Sequence, residues 1–218
     1  MVKVFLDSAD INQMIRLKDT IDGVTTNPSL MRKAGVQNYR NWAKTVIDRF
    51  PDKPISFEVI ADDFYEMGRQ ARVLASWGSN VYVKIPITNT KGESSVPLIA
   101  TLVSEGIKVN VTAVMTSKQL WEAESVRPEI ISVFCGRIED TGQGLPVGAP
   151  MHKLSKFLWA SSRSIRDYYH ASKLGYDIIT LTPDLISKLD LKGKDLTQFS
   201  LETVQMFFND AQKAGYTL

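Results

Sequence analysis

The sequence contains very little of the chemistry that disulfide frameworks and zinc sites need. Cys135 is its single cysteine, and His152 and His170 are its only histidines. One cysteine excludes an intrachain disulfide, and neither histidine lies in a cluster with the spacing of metal ligands. The sequence therefore predicts no metal site and no Ser-His-Asp triad.

The sequence also lacks runs of like charge and long apolar stretches. A net charge of +2 without a basic run gives no electrostatic footprint for nucleic acid, and no stretch is long enough to span a membrane. Residues Met1 to Asp7 enter a strand pattern directly, without the apolar region of a signal peptide. We expect a cytoplasmic protein whose partners are small molecules, with no nucleic acid or membrane partner.

What the sequence does contain is an alternation of β-branched runs and amphipathic segments. With 218 residues, 44% of them hydrophobic, the chain can bury one large core, and we expect a single domain over 1–218. Eight strands are predicted, at Val2–Asp7, Gly23–Asn27, Ile55–Ile60, Val81–Ile87, Lys108–Val114, Ile130–Cys135, Lys156–Ser161 and Asp177–Thr182. Helices are predicted between them at Tyr39–Arg49, Phe64–Ser76, Val96–Ser104, Ser117–Glu124 and Ser164–Leu174.

Eight such units predict a closed (β/α)8 TIM barrel. The competing architecture is an open doubly wound sheet, but Gly142, Gly144 and Gly148 do not form its phosphate-binding fingerprint. One unit departs from the pattern, because the segment from Gly136 to Lys156 is rich in Gly and Pro and leaves room only for a shortened helix. An extra amphipathic helix is predicted at Leu201–Ala214, ended by Gly215.

Lys84 is the most informative single residue, because it interrupts an otherwise apolar strand. The period of two puts Val83 and Ile85 on one face and Lys84 on the other, which in a barrel points inward. Burial disfavours the ammonium and favours the neutral amine, the form that attacks a carbonyl to give a Schiff base. The structural alternative is a lysine paired with a carboxylate. Glu58 lies on the preceding predicted strand, and together the two residues look like either a buried ion pair or an amine with its acid/base partner.

Polar residues end or lie on seven of the eight predicted strands, where TIM barrels carry their active sites. Each has a structural alternative: Asp7 as a helix cap, Asn27 in the turn before Pro28, and Asn110 or Thr112 bonded to barrel backbone. Arg137 and Arg163 would form a fork for a phosphate. The predicted set is Asp7, Thr25, Asn27, Glu58, Lys84, Asn110, Thr112, Ser132, Phe134, Arg137, Ser161 and Arg163.

Six segments of the sequence resemble the transaldolase family, in its small-subunit, fructose 6-phosphate aldolase-like branch, and the resemblance covers the chain from the first strand to the eighth. They are Phe5–Asp7, Gly23–Leu30 with its T-T-N-P-S motif, Val83–Pro86 with its V-K-I-P motif, Asn110–Thr112, Ser132–Arg137 and Ala160–Arg163.

The resemblance implies a class I aldolase barrel without metal or organic cofactor, in which Lys84 forms a Schiff base with a ketose phosphate. Asp7 would handle the proton of the donor C4 hydroxyl, and Glu58 with Thr112 would position a water. Of the remaining residues, Asn27 and Asn110 would hold the dihydroxyacetone unit, Thr25 and Ser132 would line the pocket, and Arg137, Ser161 and Arg163 would bind phosphate.

The resemblance leaves three activities open. The first is a transaldolase passing dihydroxyacetone from sedoheptulose 7-phosphate or fructose 6-phosphate to an aldose phosphate in the pentose phosphate pathway. The second is an aldolase that releases free dihydroxyacetone, and the third is a sugar-phosphate-binding protein without turnover. The aldolases carry glutamine in place of Glu58 and tyrosine in place of Phe134, which favours transfer here. Relatives assemble into rings, often decamers, so a homo-oligomer is expected.

Overall fold

The structure is a computed structural model that describes residues 1–146 and 154–217, and its eight strands form a closed parallel barrel in chain order. The (β/α)8 prediction is confirmed, and the doubly wound alternative is wrong. The strands are β1 Lys3–Asp7, β2 Gly23–Thr25, β3 Ile55–Glu58, β4 Val81–Pro86, β5 Val109–Val114, β6 Ile130–Val133, β7 Lys156–Trp159 and β8 Ile178–Leu181.

Ten α-helices lie in the described residues, and the five predicted between the strands are found within about two residues of their expected ends. They are α1 Ile11–Arg16, α2 Pro28–Lys33, α3 Tyr39–Arg49, α4 Phe64–Ala75, α5 Val96–Ser104, α6 Ser117–Ser125, α7 Cys135–Asp140, α8 Arg166–Lys173, α9 Pro183–Ser187 and α10 Leu196–Ala214. Two 3-10 helices occupy Lys18–Thr20 and Lys188–Leu191.

The strand alternation separates an outer core from the barrel interior. Side chains such as Leu6, Phe57 and Val83 are fully buried on the outer side, where each contributes about 2 kcal/mol by leaving water. Inside, an apolar cluster of Phe5, Ile130, Leu158, Ala160 and Ile178 fills the barrel, with Tyr82 and Phe134 packed against it.

Gly23 is the residue that makes room for the Phe5 ring. It is the register partner of Phe5 across β1 and β2, and a Cβ at Gly23 would lie 2.6 Å from that ring. A larger side chain at position 23 would displace the Phe5 ring from the barrel interior. Glycine is therefore required at this position by the close approach of the ring rather than by backbone freedom.

Strand β5 departs from simple alternation at its carboxyl end. Its register with β6 shifts between Val111 and Val114, and Ala113 has φ 62°. Such a bulge re-aims one residue, and Ala113 lines the central cavity. Simple alternation along this strand would place Ala113 on the outward face with Val109 and Val111, and the bulge turns it to the cavity instead.

The irregular unit after β6 begins with a short helix. Helix α7 spans only six residues, Cys135–Asp140, in agreement with the predicted shortened element. Residues 147–153, which include Gly148 and His152 of the sequence analysis, lie outside the described residues.

The chain divides into two compact units, Met1–Ile186 and Ser187–Leu218. In the second unit, α10 begins at Leu196, five residues before the predicted start, because Asp195 caps it by accepting the Gln198 N–H at 2.8 Å. It ends at Gly215 in the left-handed conformation, as predicted. That a single domain spans 1–218 stays a prediction.

Candidate active site

A cavity of about 500 Å³ opens at the carboxyl ends of the strands. All predicted site residues except Asn110 line it. Parallel strands end at one mouth, so residues far apart in the chain meet there: the barrel register puts Glu58 beside Lys84, and Asp7 beside Thr25. The cavity is large enough to hold a sugar phosphate.

Lys84 is held at the cavity wall by one carboxylate and one carbonyl. Its side chain is 7% exposed, its Nζ lies 2.9 Å from Glu58 Oε2, and it donates a hydrogen bond to the Thr26 carbonyl oxygen at 2.7 Å. Glu58 is 19% exposed on the cavity side. A carboxylate at this distance is within reach of the ammonium proton, which must leave before the amine can act as a nucleophile.

The backbone that carries Glu58 is fixed from behind by aromatic packing. Tyr39 donates its hydroxyl proton to the Glu58 carbonyl oxygen at 3.0 Å, and its ring meets Phe57 edge-on at 6.1 Å. Burial is the main cause that raises the pKa of Tyr39, so this hydroxyl remains a donor. The end of β3 is thereby held in one position.

Asp7 ends β1 as a half-buried carboxyl group in the cavity wall. Burial raises its pKa above the ordinary value, although the Lys84 charge and the hydrogen bond from Thr25 both lower it, and Glu58 raises it. Thr25 donates to Asp7 Oδ1 at 2.9 Å and shares a second hydrogen bond with the Thr180 hydroxyl. The helix-cap alternative for Asp7 is wrong, because Asp10 caps α1.

Asn110 lies one layer below the cavity rather than on its wall. It is fully buried, donates to Ser56 Oγ at 3.1 Å, and accepts the Ser132 hydroxyl proton at 2.7 Å. Its partners are side chains, so the backbone alternative for Asn110 is wrong too. Ser132 connects this buried network with the cavity.

Thr112 and Asn27 differ in how their polar atoms are satisfied. Thr112 Oγ1 is buried, lines the cavity and has no hydrogen-bond partner among the described residues. A buried hydroxyl of this kind is suited to a bound ligand or water. Asn27 caps α2, accepting the Leu30 N–H at 3.0 Å, with Pro28 at the first helical position. Asn27 therefore does stabilise the turn before Pro28, and it also lines the cavity.

The rim above β6 and β7 carries Arg137, Ser161 and Arg163. The Arg137 guanidinium lies 5.4 Å from the Phe134 ring centroid, a cation–π arrangement. Ser161 has φ 65°, and Gly136 approaches its carbonyl so closely that a Cβ on Gly136 would lie 1.8 Å from that oxygen. Both arginines line the cavity at this rim, and their fork for a phosphate stays a prediction.

The cavity is also lined by residues that the sequence patterns did not predict as site residues, among them Thr180, Thr182 and Lys33. Thr180 and Thr182 are the polar residues of the eighth predicted strand. Their spacing of two within a β-branched run places both on one face of that strand, and this pattern could have identified them as cavity residues. Lys33 ends α2 and is exposed, and nothing in its local pattern distinguishes it from a surface lysine.

Two findings concern other kinds of site. Among residues 1–146 and 154–217, no three His, Cys, Asp or Glu side chains lie close enough to hold a metal ion together. No helix in that part of the chain is long and apolar enough to cross a membrane.

The closed barrel and the cavity at its strand ends define a (β/α)8 barrel protein with a lysine–carboxylate pair in its central pocket. Residues 4–218 match the sequence model of the transaldolase/fructose-6-phosphate aldolase family, so the chain belongs to that family. It is 34% identical to a probable transaldolase of Chelativorans sp. (strain BNC1), over 98% of each chain. It is 35% identical to a probable transaldolase of Hyphomonas neptunium, over 98% of this chain and 99% of the relative.

Solved structures agree on the fold. The 3-hexulose-6-phosphate synthase of Salmonella typhimurium superposes with a TM-score of 0.61 at 16% identity, covering 83% of this chain and 89% of that one. A 2,3-dimethylmalate lyase gives a TM-score of 0.57 at 12% identity, covering 99% and 84%. At these identities the likeness establishes the barrel alone.

Proposed function

We propose that this chain is a transaldolase, which transfers a dihydroxyacetone unit from a ketose phosphate to an aldose phosphate through a Schiff base on Lys84. The donors proposed are sedoheptulose 7-phosphate and fructose 6-phosphate. The observation that carries the proposal is a lysine only 7% exposed on the wall of the cavity, with a carboxylate 2.9 Å away. The names of its relatives support the same reaction.

The first chemical step is imine formation, and the Lys84–Glu58 pair supplies its proton transfers. Glu58 takes a proton from the ammonium, and the neutral amine attacks C2 of the ketose. The resulting hydroxyl then leaves as water, taking back the proton from Glu58, and the C2–N double bond forms. The buried Thr112 hydroxyl holds the water that relays these protons.

The second step breaks the C3–C4 bond. Asp7 removes the C4 hydroxyl proton, the bond electrons move into the protonated imine, and an aldose phosphate leaves. The remaining enamine attacks the acceptor aldehyde, and Asp7 returns its proton to the new hydroxyl. A carboxyl group whose pKa is raised by burial is suited to hold that proton between the two half-reactions.

The sugar is held at two ends. Asn27, Thr25 and Ser132 hold the dihydroxyacetone end, with Asn110 orienting Ser132 from below. Arg137, Ser161 and Arg163 bind the phosphate at the rim, where barrels of this kind commonly place it.

Transfer rather than release of dihydroxyacetone is supported by Phe134 and Glu58. Phe134 brings no hydroxyl to the cavity wall, so the side chain at this position has no proton to give the enamine. The enamine then waits for an acceptor aldehyde. Activity without an acceptor is the property that separates a releasing aldolase from this proposal.

We also propose that the chain forms a homo-oligomer, with a decamer as the assembly to test, and works in cytoplasmic sugar-phosphate metabolism. The support for assembly is α10, a helix with no buried residue in the structure. Its exposed large apolar side chains are Leu196, Phe199, Leu201, Val204, Met206, Phe207 and Phe208. An apolar surface of this size on a helix is typical of a protein interface.

The test of catalysis is covalent trapping. The protein is incubated with fructose 6-phosphate, reduced with borohydride, and examined by intact mass and peptide mapping. We expect one reduced dihydroxyacetone unit on Lys84, and none on Lys33, the other lysine of the cavity. Lys84→Met should remove both adduct and turnover while circular dichroism stays unchanged.

Turnover that survives Lys84→Met would refute the Schiff-base proposal. Saturable sugar binding without any adduct would indicate a binding protein instead. If the adduct forms, omission of erythrose 4-phosphate distinguishes the two enzymes, because only an aldolase releases dihydroxyacetone without an acceptor.

A further inference from the structure

Asp140 forms a salt bridge with Arg163, one of the two rim arginines, from outside the cavity. Its Oδ2 lies 2.6 Å from Arg163 Nη2, and Arg163 Nε donates to both carboxylate oxygens at 3.1 and 3.2 Å. Both side chains are about half exposed, and Asp140 itself does not line the cavity. One edge of the guanidinium is therefore occupied by a carboxylate of the chain itself.

The Asp140 carboxylate also interacts electrostatically with the second rim arginine, Arg137. Asp140 lies three residues after Arg137 on α7, on the same side of the helix. The hydrogen bond from Arg163 is the main cause that lowers the pKa of Asp140, and the charges of Arg163 and Arg137 lower it further. Asp140 is thus ionised at neutral pH, and the rim carries two positive charges and one negative charge.

We propose that Asp140 is a specificity-determining residue, a built-in anion that weakens the phosphate subsite formed by Arg137, Ser161 and Arg163. This inference rests on the proposed function. A phosphate monoester brings about two negative charges to this rim at neutral pH. Asp140 both repels that dianion and competes with it for the Arg163 guanidinium.

A weakened subsite suits a transfer reaction. The aldose phosphate product must leave the rim before the acceptor aldose phosphate enters it, while the dihydroxyacetone unit stays on the lysine. A rim with two unopposed arginines would retain the first phosphate longer. Asp140 therefore reduces the advantage of phosphorylated sugars over unphosphorylated ones and speeds their exchange.

The test is direct binding of inorganic phosphate by titration calorimetry at low ionic strength, where such charges are least screened. We expect D140N to bind phosphate about fivefold more tightly than the parent chain, the size typical of one exposed charge. D140E, which keeps the charge, should stay within about twofold of the parent.

The matched control is E105Q. Glu105 holds Arg72 through the same two-point contact, with Nη2–Oε1 at 2.6 Å and Nε–Oε2 at 2.8 Å, and neither residue lines the cavity. Removing this charge should leave the phosphate affinity unchanged. A comparable gain in E105Q would show that net charge alone is responsible and would overturn the assignment to Asp140.

An unchanged or weaker phosphate affinity in D140N would also overturn the proposal, since it would mean that Asp140 orients Arg163 instead of opposing the ligand. Arg163→Met separates this outcome from failure of the subsite itself. If Arg163→Met binds phosphate as the parent does, the proposed phosphate site is wrong, and the role of Asp140 falls with it. Loss of binding in Arg163→Met keeps the site and leaves D140N to decide.

Discussion

Gly136→Ala tests the closest approach in the phosphate rim. The added Cβ would lie 1.8 Å from the Ser161 carbonyl oxygen and 2.8 Å from its carbonyl carbon. Carbon and oxygen atoms in contact stay about 3.3 Å apart, so α7 and the β7 loop would have to separate by about 1.5 Å. The obstacle is backbone, and Ser161 is already held at φ 65°, so it cannot turn aside cheaply.

We expect Gly136→Ala to cost about 3 kcal/mol, the upper end of the range for overpacking. Since proteins of this length lose about 2–3 kcal/mol per molar urea, the unfolding midpoint should fall by about 1 M. The same separation displaces Ser161 and Arg163, so the KM for a phosphorylated donor should rise while that for an unphosphorylated one changes less.

Urea unfolding followed by tryptophan fluorescence measures the first effect, and steady-state kinetics measure the second. The matched control is Gly144→Ala, because a Cβ at Gly144 meets no atom within 4 Å and its φ is not in the left-handed region. This control should shift the midpoint by less than about 0.3 M. If Gly136→Ala unfolds at the same urea concentration as Gly144→Ala, the close approach at the rim does not exist.

Asp7→Asn should raise the melting temperature at pH 7 but not at pH 3. Burial raises the pKa of Asp7 in the folded protein above its ordinary value of 3.8, so ionising Asp7 lowers the stability of the fold. That loss develops as the pH rises from 3.8 towards the folded-state pKa and is absent at pH 3. Thr112→Val should leave stability unchanged within about 0.5 kcal/mol, since the hydroxyl has no partner among the described residues, but should slow borohydride trapping. Phe207→Glu should lower the mass measured by light scattering, with Gln205→Glu as control, because Phe207 is 64% exposed on α10.

Each of these has a contradicting result. A melting temperature of Asp7→Asn that falls at pH 7 would mean that the ionised carboxylate stabilises the fold. Trapping of Thr112→Val at the parental rate would remove the hydroxyl from the water relay. An unchanged mass for Phe207→Glu would exclude this face of α10 from the interface.

The sequence by itself determined the barrel and singled out the lysine at its centre. Hydrophobic periods of two and of about four residues are local properties, so strands and helices could be located along the chain without knowing what packs on what. Lys84 was identifiable for the same reason, because a charge within an apolar strand is visible in seven consecutive residues. The strand-end motifs then indicated the family.

Tertiary structure decided how deep each group lies and which partner it takes. Alternation assigns a residue to a face of its strand but not to a level along the barrel axis, so only the structure placed Asn110 below the cavity and Thr112 in its wall. Partners from different strands are equally invisible in the sequence. The pairing of Asp140 with Arg163 depends on how α7 meets the segment after the neighbouring strand β7. The burial that raises the pKa of Asp7 depends on closure of the barrel, where β1 pairs with the last strand.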